Sequence, residues 1–269
     1  MPPELPRGMS MSIAERVLLF ISRVPEAGDY VQESDRPNID HALDLLVRVC
    51  PTFVDLISGK RVADFGCGYG YQSIALAKTL GCTVVGIDSN RNTLDTAIEN
   101  AKVYKIPSSN LSFVERVSSD MLGSFDVVIS QNSFEHLPNP GQTLDEMTSL
   151  LKGTGRALIT FGPPWLAPYG SHMHFFCKVP WINVLFSEKT VMKARSHFRS
   201  DGARRYEEVE SGLNRMTIAK FESILSSRDL RVDYRKYDCV KQINVLSKVP
   251  LLREFFVNHV TVILSNEKG

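Results

Sequence analysis

The chain has 269 residues, 43% hydrophobic and 23% charged, with a formal net charge of +1. That suits one soluble α/β domain with insertions or two small domains, and it excludes a chain-wide basic field for nucleic acid. The five cysteines, Cys50, Cys67, Cys82, Cys177 and Cys239, form no C-x-x-C, which fits a reducing compartment and gives no zinc site. No apolar run approaches the ~20 residues of a spanning helix, and the start M-P-P-E-L-P-R lacks a signal-peptide pattern, so a cytoplasmic protein is expected.

In chain order, residues 1–11 read as an arm. Ser12 to Val24 reads as an amphipathic helix with Ile13, Val17, Phe20, Ile21 and Val24 at helical spacing. That stripe either packs on the core or lies over the mouth of a ligand site. Pro25 to Pro37 is a polar connector, so residues 1–37 form an arm and helix, and residues 38–269 the main domain. A helical region from Asn38 to Ile57 is interrupted at Pro51. Strand Arg61–Phe65 then breaks into Gly66, Gly68 and Gly70, and helix Tyr71–Leu80 follows. Next come strand Thr83–Asp88, helix Asn90–Lys105, strand Leu111–Val117, the almost wholly apolar strand Phe125–Ser130, helix Gly141–Leu151 and strand Arg156–Phe161. Thr217–Ser227 is the last helix, and Leu230–Val240 and Val260–Asn266 are the final strands. Strands alternating with helices at this spacing predict an α/β fold with a doubly wound, mostly parallel sheet.

The chemistry begins at R-V-A-D-F-G-C-G-Y-G, Arg61 to Gly70. A strand that turns through glycines into a helix brings backbone N–H groups and a positive helix end to a ligand. Asp88, at the end of T-V-V-G-I-D, stands where an acidic side chain takes the two hydroxyls of a ribose. Together they predict a ligand containing adenosine. The third glycine comes one residue earlier than in G-x-G-x-x-G, which disfavours a nicotinamide dehydrogenase.

The D-x-G-x-G-x-G arrangement resembles the first motif of class I S-adenosylmethionine-dependent methyltransferases. F-D-V-V-I-S-Q-N-S-F-E-H-L-P-N-P and L-L-K-G-T-G-R-A-L-I-T are similar to later motifs of the small-molecule and quinone-type branch. The resemblance covers roughly 38–161 and the C-terminal end. It implies a seven-stranded sheet of order 3-2-1-4-5-7-6, with S-adenosyl-L-methionine as methyl donor and S-adenosyl-L-homocysteine as product. It places Gly66, Gly68 and Gly70 under the methionine half of the cofactor and Asp88 on the ribose, with Asp64 orienting the loop and the cofactor's amino end. Cys67, Ser89 and Gln131 complete the expected set. Where family members often carry an acidic residue for the adenine amino group, this chain has Arg116, Val117 and Ser118, with Asp120 late, so backbone near Val117 and Ser118 is expected to hold adenine.

From 162 to 229 the chain runs far beyond the ~2–6 residues of an ordinary α/β connection. Residues 162–215 are therefore expected to be a substrate lid inserted between strands 5 and 6. Trp165, Tyr169, Phe175, Phe176, Trp181 and Phe186 lie here, which suits an aromatic lid, with Trp165 and Tyr169 on the acceptor, or a small subdomain core. V-P-W-I-N-V-L-F also suits peripheral membrane contact. In an extended segment His172 and His174 share a side; no third ligand is evident, so no metal is assigned. Lys193, Arg195, Arg199, Arg204 and Arg205 suit either an anionic group of the substrate or a solvated face balanced by Glu207, Glu208 and Glu210, and Asn214 and Arg215 are expected to face the cleft.

Methyl transfer to a hydroxyl needs its proton removed. His136, after the fourth strand, is the leading base, with His172, His174 and Glu135 as further candidates; for His136 a helix-start residue bonded to backbone is the bland reading. The activity so implied is methyl transfer to O, N or C of a small, hydrophobic acceptor. A non-catalytic cofactor-binding module is the alternative. Nucleic acid is disfavoured as a partner, because Gln131, Asn132, Ser133 and Phe134 replace the N/D-P-P-Y/F of amino-methylating relatives and no basic stripe interleaved with aromatics occurs.

Overall fold

The computed structural model describes residues 11–22, 39–209 and 212–266. Most of the expected arm, the connector from Pro25 to Pro37, Val24 and Glu210 lie outside the described residues. Helices α1 (Ile13–Ile21), α2 (Asp44–Val49) and α3 (Phe53–Ile57) precede strand β1 (Arg61–Phe65). The core then alternates α4 (Tyr71–Thr79), β2 (Thr83–Ile87), α5 (Arg91–Val103), β3 (Leu111–Val114), β4 (Phe125–Gln131), α6 (Pro140–Ser149) and β5 (Leu151–Phe161). After β5 come α7 (Ile182–Leu185), α8 (Glu188–Arg195), α9 (Ile218–Ser226), β6 (Leu230–Cys239), α10 (Pro250–Phe256) and β7 (Val257–Asn266).

The sheet has seven strands in the order β3-β2-β1-β4-β5-β7-β6. β1 to β5 pair in parallel, and β7 runs antiparallel between β5 and β6. Phe125, Val127, Val128 and Ile129 of β4 are each at most 2% exposed. Burying each such side chain contributes about 1.5–3 kcal/mol, so this strand anchors the apolar clusters on both faces. The K-G-T-G segment, read from sequence as a turn before the fifth strand, lies inside β5. There the pairing with β4 jumps from Phe125↔Leu151 to Val127↔Arg156, and Gly155 passes so close that a Cβ would stand 3.0 Å from Phe125 O. β3 stops at Val114 instead of Val117, which frees Glu115, Arg116 and Val117 to turn into the cleft.

Residues after β5 build a third cluster of their own, with Met173, Phe176, Cys177, Ile182, Val191, Met192 and Tyr206 buried. The aromatics of the insertion therefore serve mainly a subdomain core. Helix α1 joins it. Ser12 caps α1 in a capping box with Glu15, Leu18 is fully buried in the cluster, and Lys193 of α8 pairs with Glu15 at 2.9 Å. The helix buries a different side from the stripe read in sequence: Ile13 and Phe20 are 81% and 89% exposed. No residue of α1 lines the cavity described below, so α1 sits on the insertion instead of over the cofactor mouth.

Candidate active site

The carboxyl ends of β1, β2 and β4 open into one cavity of about 1180 Å³. Its floor is the glycine turn. Gly66 N–H and Cys67 N–H both donate to Ile87 O, at 2.8 and 3.1 Å, which pins the turn to the end of β2. Gly66 has φ +78°, and a Cβ there would lie 2.7 Å from Ser133 Oγ. Gly68 has φ +53° with open space where its Cβ would be, so glycine is needed there for its backbone conformation alone.

Asp88 joins the turn to β2. Its Oδ2 accepts from Gly68 N–H at 2.9 Å and its Oδ1 from Asn90 N–H at 2.9 Å. A carboxylate offers about four lone-pair sites, so these bonds fix the side chain and leave acceptor capacity toward the cavity that it lines. Asp64 has another task. It is 1% exposed and accepts from Gln72 Nε2 at 2.6 Å and Ser73 Oγ at 2.5 Å, both on α4. Burial raises its pKa to about 6 against those two bonds, and the Asp88 charge adds to the rise. Asp64 straps β1 to α4; it does not line the cavity, so the contact with a cofactor's amino end expected of it is not where the structure puts it.

Of the other expected cofactor residues, Gly66, Ser89 and Val117 line the cavity, whereas Cys67, Gly68, Gly70, Ser118 and Gln131 do not. Cys67 packs inward, with Sγ 3.0 Å from where a Cβ on Gly86 would lie, and burial pushes its thiol pKa far up. Gly70 closes against Phe113 and Ala97, so its role is packing of α4 on the sheet. Tyr69, Asn132 and Ser133 line the cavity and were missed in sequence. For Ser133 the available signal was its position just past the carboxyl end of β4; it bonds Ser130 Oγ at 2.7 Å.

The second half of the cavity joins the turn after β4 to residues 207–209 and 212–220. His136 lines it and donates from Nδ1 to Gly212 O at 2.6 Å. That bond fixes the tautomer and leaves Nε2 as the acceptor nitrogen. Asn214 ties the same turn down: its N–H donates to Glu135 O at 3.0 Å and its Nδ2 to Phe134 O and Leu137 O at 2.8 Å. Asn214 and Arg215 line the cavity as expected, and Lys220 joins them.

His172 stands behind His136, ring centroids 5.3 Å apart and edge to face. Burial lowers its pKa to about 4, and the neighbouring His136 charge adds to that. It does not line the cavity. His174 is exposed and packs its ring edge on Tyr169 at 4.8 Å. The two histidines point to different surroundings because His172 has φ +57°, which breaks the alternation an extended segment would have. Trp165 packs on Tyr206 at 4.8 Å inside the insertion. Neither Trp165 nor Tyr169 lines the cavity, a correction to the acceptor contacts expected of them. Glu135 is 3% exposed, and its Oε1 accepts from Gly162 N–H at 3.1 Å, which makes it a brace for β5. Among the described residues, no group of three or more His, Cys, Asp or Glu side chains is placed to hold a metal ion.

Residues 56–162 match the family model described as "Methyltransferase domain". Over those residues the chain carries a class I S-adenosylmethionine-dependent methyltransferase domain. Over 106 residues it is 34% identical to the ubiquinone biosynthesis O-methyltransferase of Nitrosococcus oceani, covering 39% of this chain and 44% of that protein. The chain thus spans less than half the length of this curated relative. Among solved structures, geranyl diphosphate methyltransferase in complex with its methyl donor aligns over 93% of this chain and 94% of its own, with TM-score 0.54 and 14% identity. The [4+2]-cyclase SpnF aligns over 86% and 81%, with TM-score 0.55 and 13% identity. At those identities the methyltransferase domain shares their fold, and the fold by itself does not assign a reaction. No described helix is long and apolar enough to cross a membrane.

Proposed function

We propose that the protein transfers a methyl group from S-adenosylmethionine to a small-molecule acceptor held between His136 and the Gly212–Lys220 wall. The observation that carries this reading is the single cavity running from Gly66 and Asp88 to His136 and Asn214. The residues fit the donor: the glycine turn at Gly66, a fixed carboxylate at Asp88 for ribose hydroxyls, and an edge at Val117 for adenine. When bound, that cofactor supplies an electrophilic methyl group on a sulfonium. The chain holds the acceptor in line and shields it from water, and such positioning can contribute about 7–11 kcal/mol to lowering a barrier. For a hydroxyl acceptor, His136 Nε2 takes the proton, because Nδ1 is already committed to Gly212 O.

Isothermal titration with S-adenosylmethionine and S-adenosylhomocysteine is the test, and a folded protein that binds neither refutes the proposal. His136→Ala should leave cofactor affinity unchanged and lower turnover of a hydroxyl acceptor roughly 10²–10⁴-fold; full turnover would remove His136 from the mechanism. Cofactor binding with no S-adenosylhomocysteine formed over a broad acceptor panel would favour a non-catalytic module. A membrane-surface role for the insertion is supported by Val184 and Leu185, which are 47% and 66% exposed. Trp181 instead packs on Phe256, so Val184→Ser with Leu185→Ser is the informative pair, and vesicle pelleting that they leave unchanged would refute that role.

A further inference from the structure

One wall of the cavity carries two cations, Arg215 and Lys220, of which Lys220 has no carboxylate within ion-pair distance among the described residues. Arg215 has φ +56°, a backbone region costly for a side chain of its size. Its guanidinium is held by Glu188 Oε1 at 2.8 Å and lies 5.7 Å from the ring centres of both Trp165 and Tyr206. Five N–H donors in a rigid fork leave some to face the cavity once Glu188 is satisfied.

Lys220, at the start of α9, lines the same wall and donates from Nζ to Asn214 O at 2.9 Å. Among the described residues no carboxylate lies within ion-pair distance of it. Burial and then the Arg215 charge both push its pKa down, as expected of a cation beside a like charge with no counterion. The nearby Glu207 is engaged by Arg205 at 3.0 Å and by Arg215 at 3.8 Å. Glu146 of α6 also lines the cavity and makes no ion pair with Lys220.

Asn214 couples this pair to the chemistry. Its carbonyl takes the Lys220 ammonium, while its amide groups hold the turn that carries His136. A group docked on the two cations is therefore in fixed register with His136 Nε2.

We infer that the methyl acceptor bears an anionic group, a carboxylate or a phosphate, that docks on Lys220 and Arg215 while its nucleophile faces His136. The wall on which such a group would dock is polar, formed by Asn214, Arg215 and Lys220. This inference rests on the cofactor reading above.

The test is calorimetric titration of protein loaded with S-adenosylhomocysteine, at low ionic strength, using benzoate in one arm and inorganic phosphate in the other. At least one anion should bind the wild type, and the stronger arm identifies the group. Lys220→Met should weaken that binding about tenfold or more, as loss of a charged hydrogen bond implies, with Lys220→Arg retaining it. Lys220 is the probe because Arg215 also braces Glu188 and Tyr206. S-adenosylhomocysteine affinity should be the same in all three proteins. If it binds and neither anion does, or if Lys220→Met binds the anion as well as wild type, the inference is overturned; if it does not bind at all, the cofactor reading fails instead.

Discussion

Replacing Gly66 with alanine should damage both stability and cofactor affinity, and Gly68→Ala is its control. Both positions have positive φ, +78° and +53°, so each substitution carries the left-handed backbone cost of about 1–2 kcal/mol. Only Gly66 adds a clash, because its Cβ would stand 2.7 Å from Ser133 Oγ and 2.8 Å from Ser133 Cβ. Ser133 is not free to retreat: its hydroxyl bonds Ser130, which is fully buried. Overpacking of that kind costs about 1–3 kcal/mol, so Gly66→Ala should lose roughly 2–5 kcal/mol and Gly68→Ala only the backbone part. Urea unfolding of the two variants measures the difference, which should appear in the midpoint at constant slope. A double-mutant cycle with Ser133→Gly isolates the contact: coupling to Gly66→Ala should be about 1 kcal/mol or more, with none to Gly68→Ala. Equal destabilisation by the two alanines, or zero coupling at Ser133, would refute the account of why the turn needs glycine there.

Asp64 should make stability depend on pH. Its folded pKa is raised from 3.8 to about 6 by burial, so the stabilisation is full below about 3.8 and is lost as pH rises through about 6. Relative to Asp64→Asn, the wild type should therefore lose about 3 kcal/mol between those limits, measured by unfolding both proteins across that window; a flat difference would show that Asp64 is not desolvated. Asp88→Ala removes the acceptor that fixes Gly68 and Asn90, and should weaken S-adenosylhomocysteine binding roughly 10–100-fold by calorimetry. Asp201→Asn leaves the guanidinium of Arg195, 5% exposed, without its paired carboxylate. Because Asp201 itself is partly exposed, the loss should be roughly 1–3 kcal/mol, below that of a fully buried pair. Faster proteolysis within 162–215 would report it.

The β/α alternation and the glycine turn were legible because each rests on local physics. Apolar runs such as V-V-I in β4 have few other places to go, and only glycine tolerates φ near +78° at Gly66. Asp88 was legible for the same reason, since it closes an apolar strand two residues before the helix cap Asn90. The adenine edge was harder: β3 ends early, and Val117 enters the cavity while Ser118 does not, a difference set by a turn no motif marks. Helix α1 shows the limit of periodicity, since its Ile13 and Phe20 are exposed while Leu18 is buried. Which stripe an amphipathic helix buries depends on the partner that reaches it, here α8.

The alternation of strands and helices, and the glycine turn with Asp88 beside it, were readable from the residues alone, because strand, turn and acidic cap lie within short reach of one another along the chain; the order of the strands in the sheet came from the family those motifs resemble. The far wall of the cavity depends on tertiary contacts. His136 meets Gly212, Asn214 holds the His136 turn, and Lys220 answers Asn214, contacts between segments separated by the whole insertion. The aromatics that composition left between an acceptor lid and a subdomain core were drawn into the core. Apolar side chains bury wherever neighbouring apolar surface is available, and Trp165, Phe176 and Tyr206 found it in each other's company instead of in the cleft.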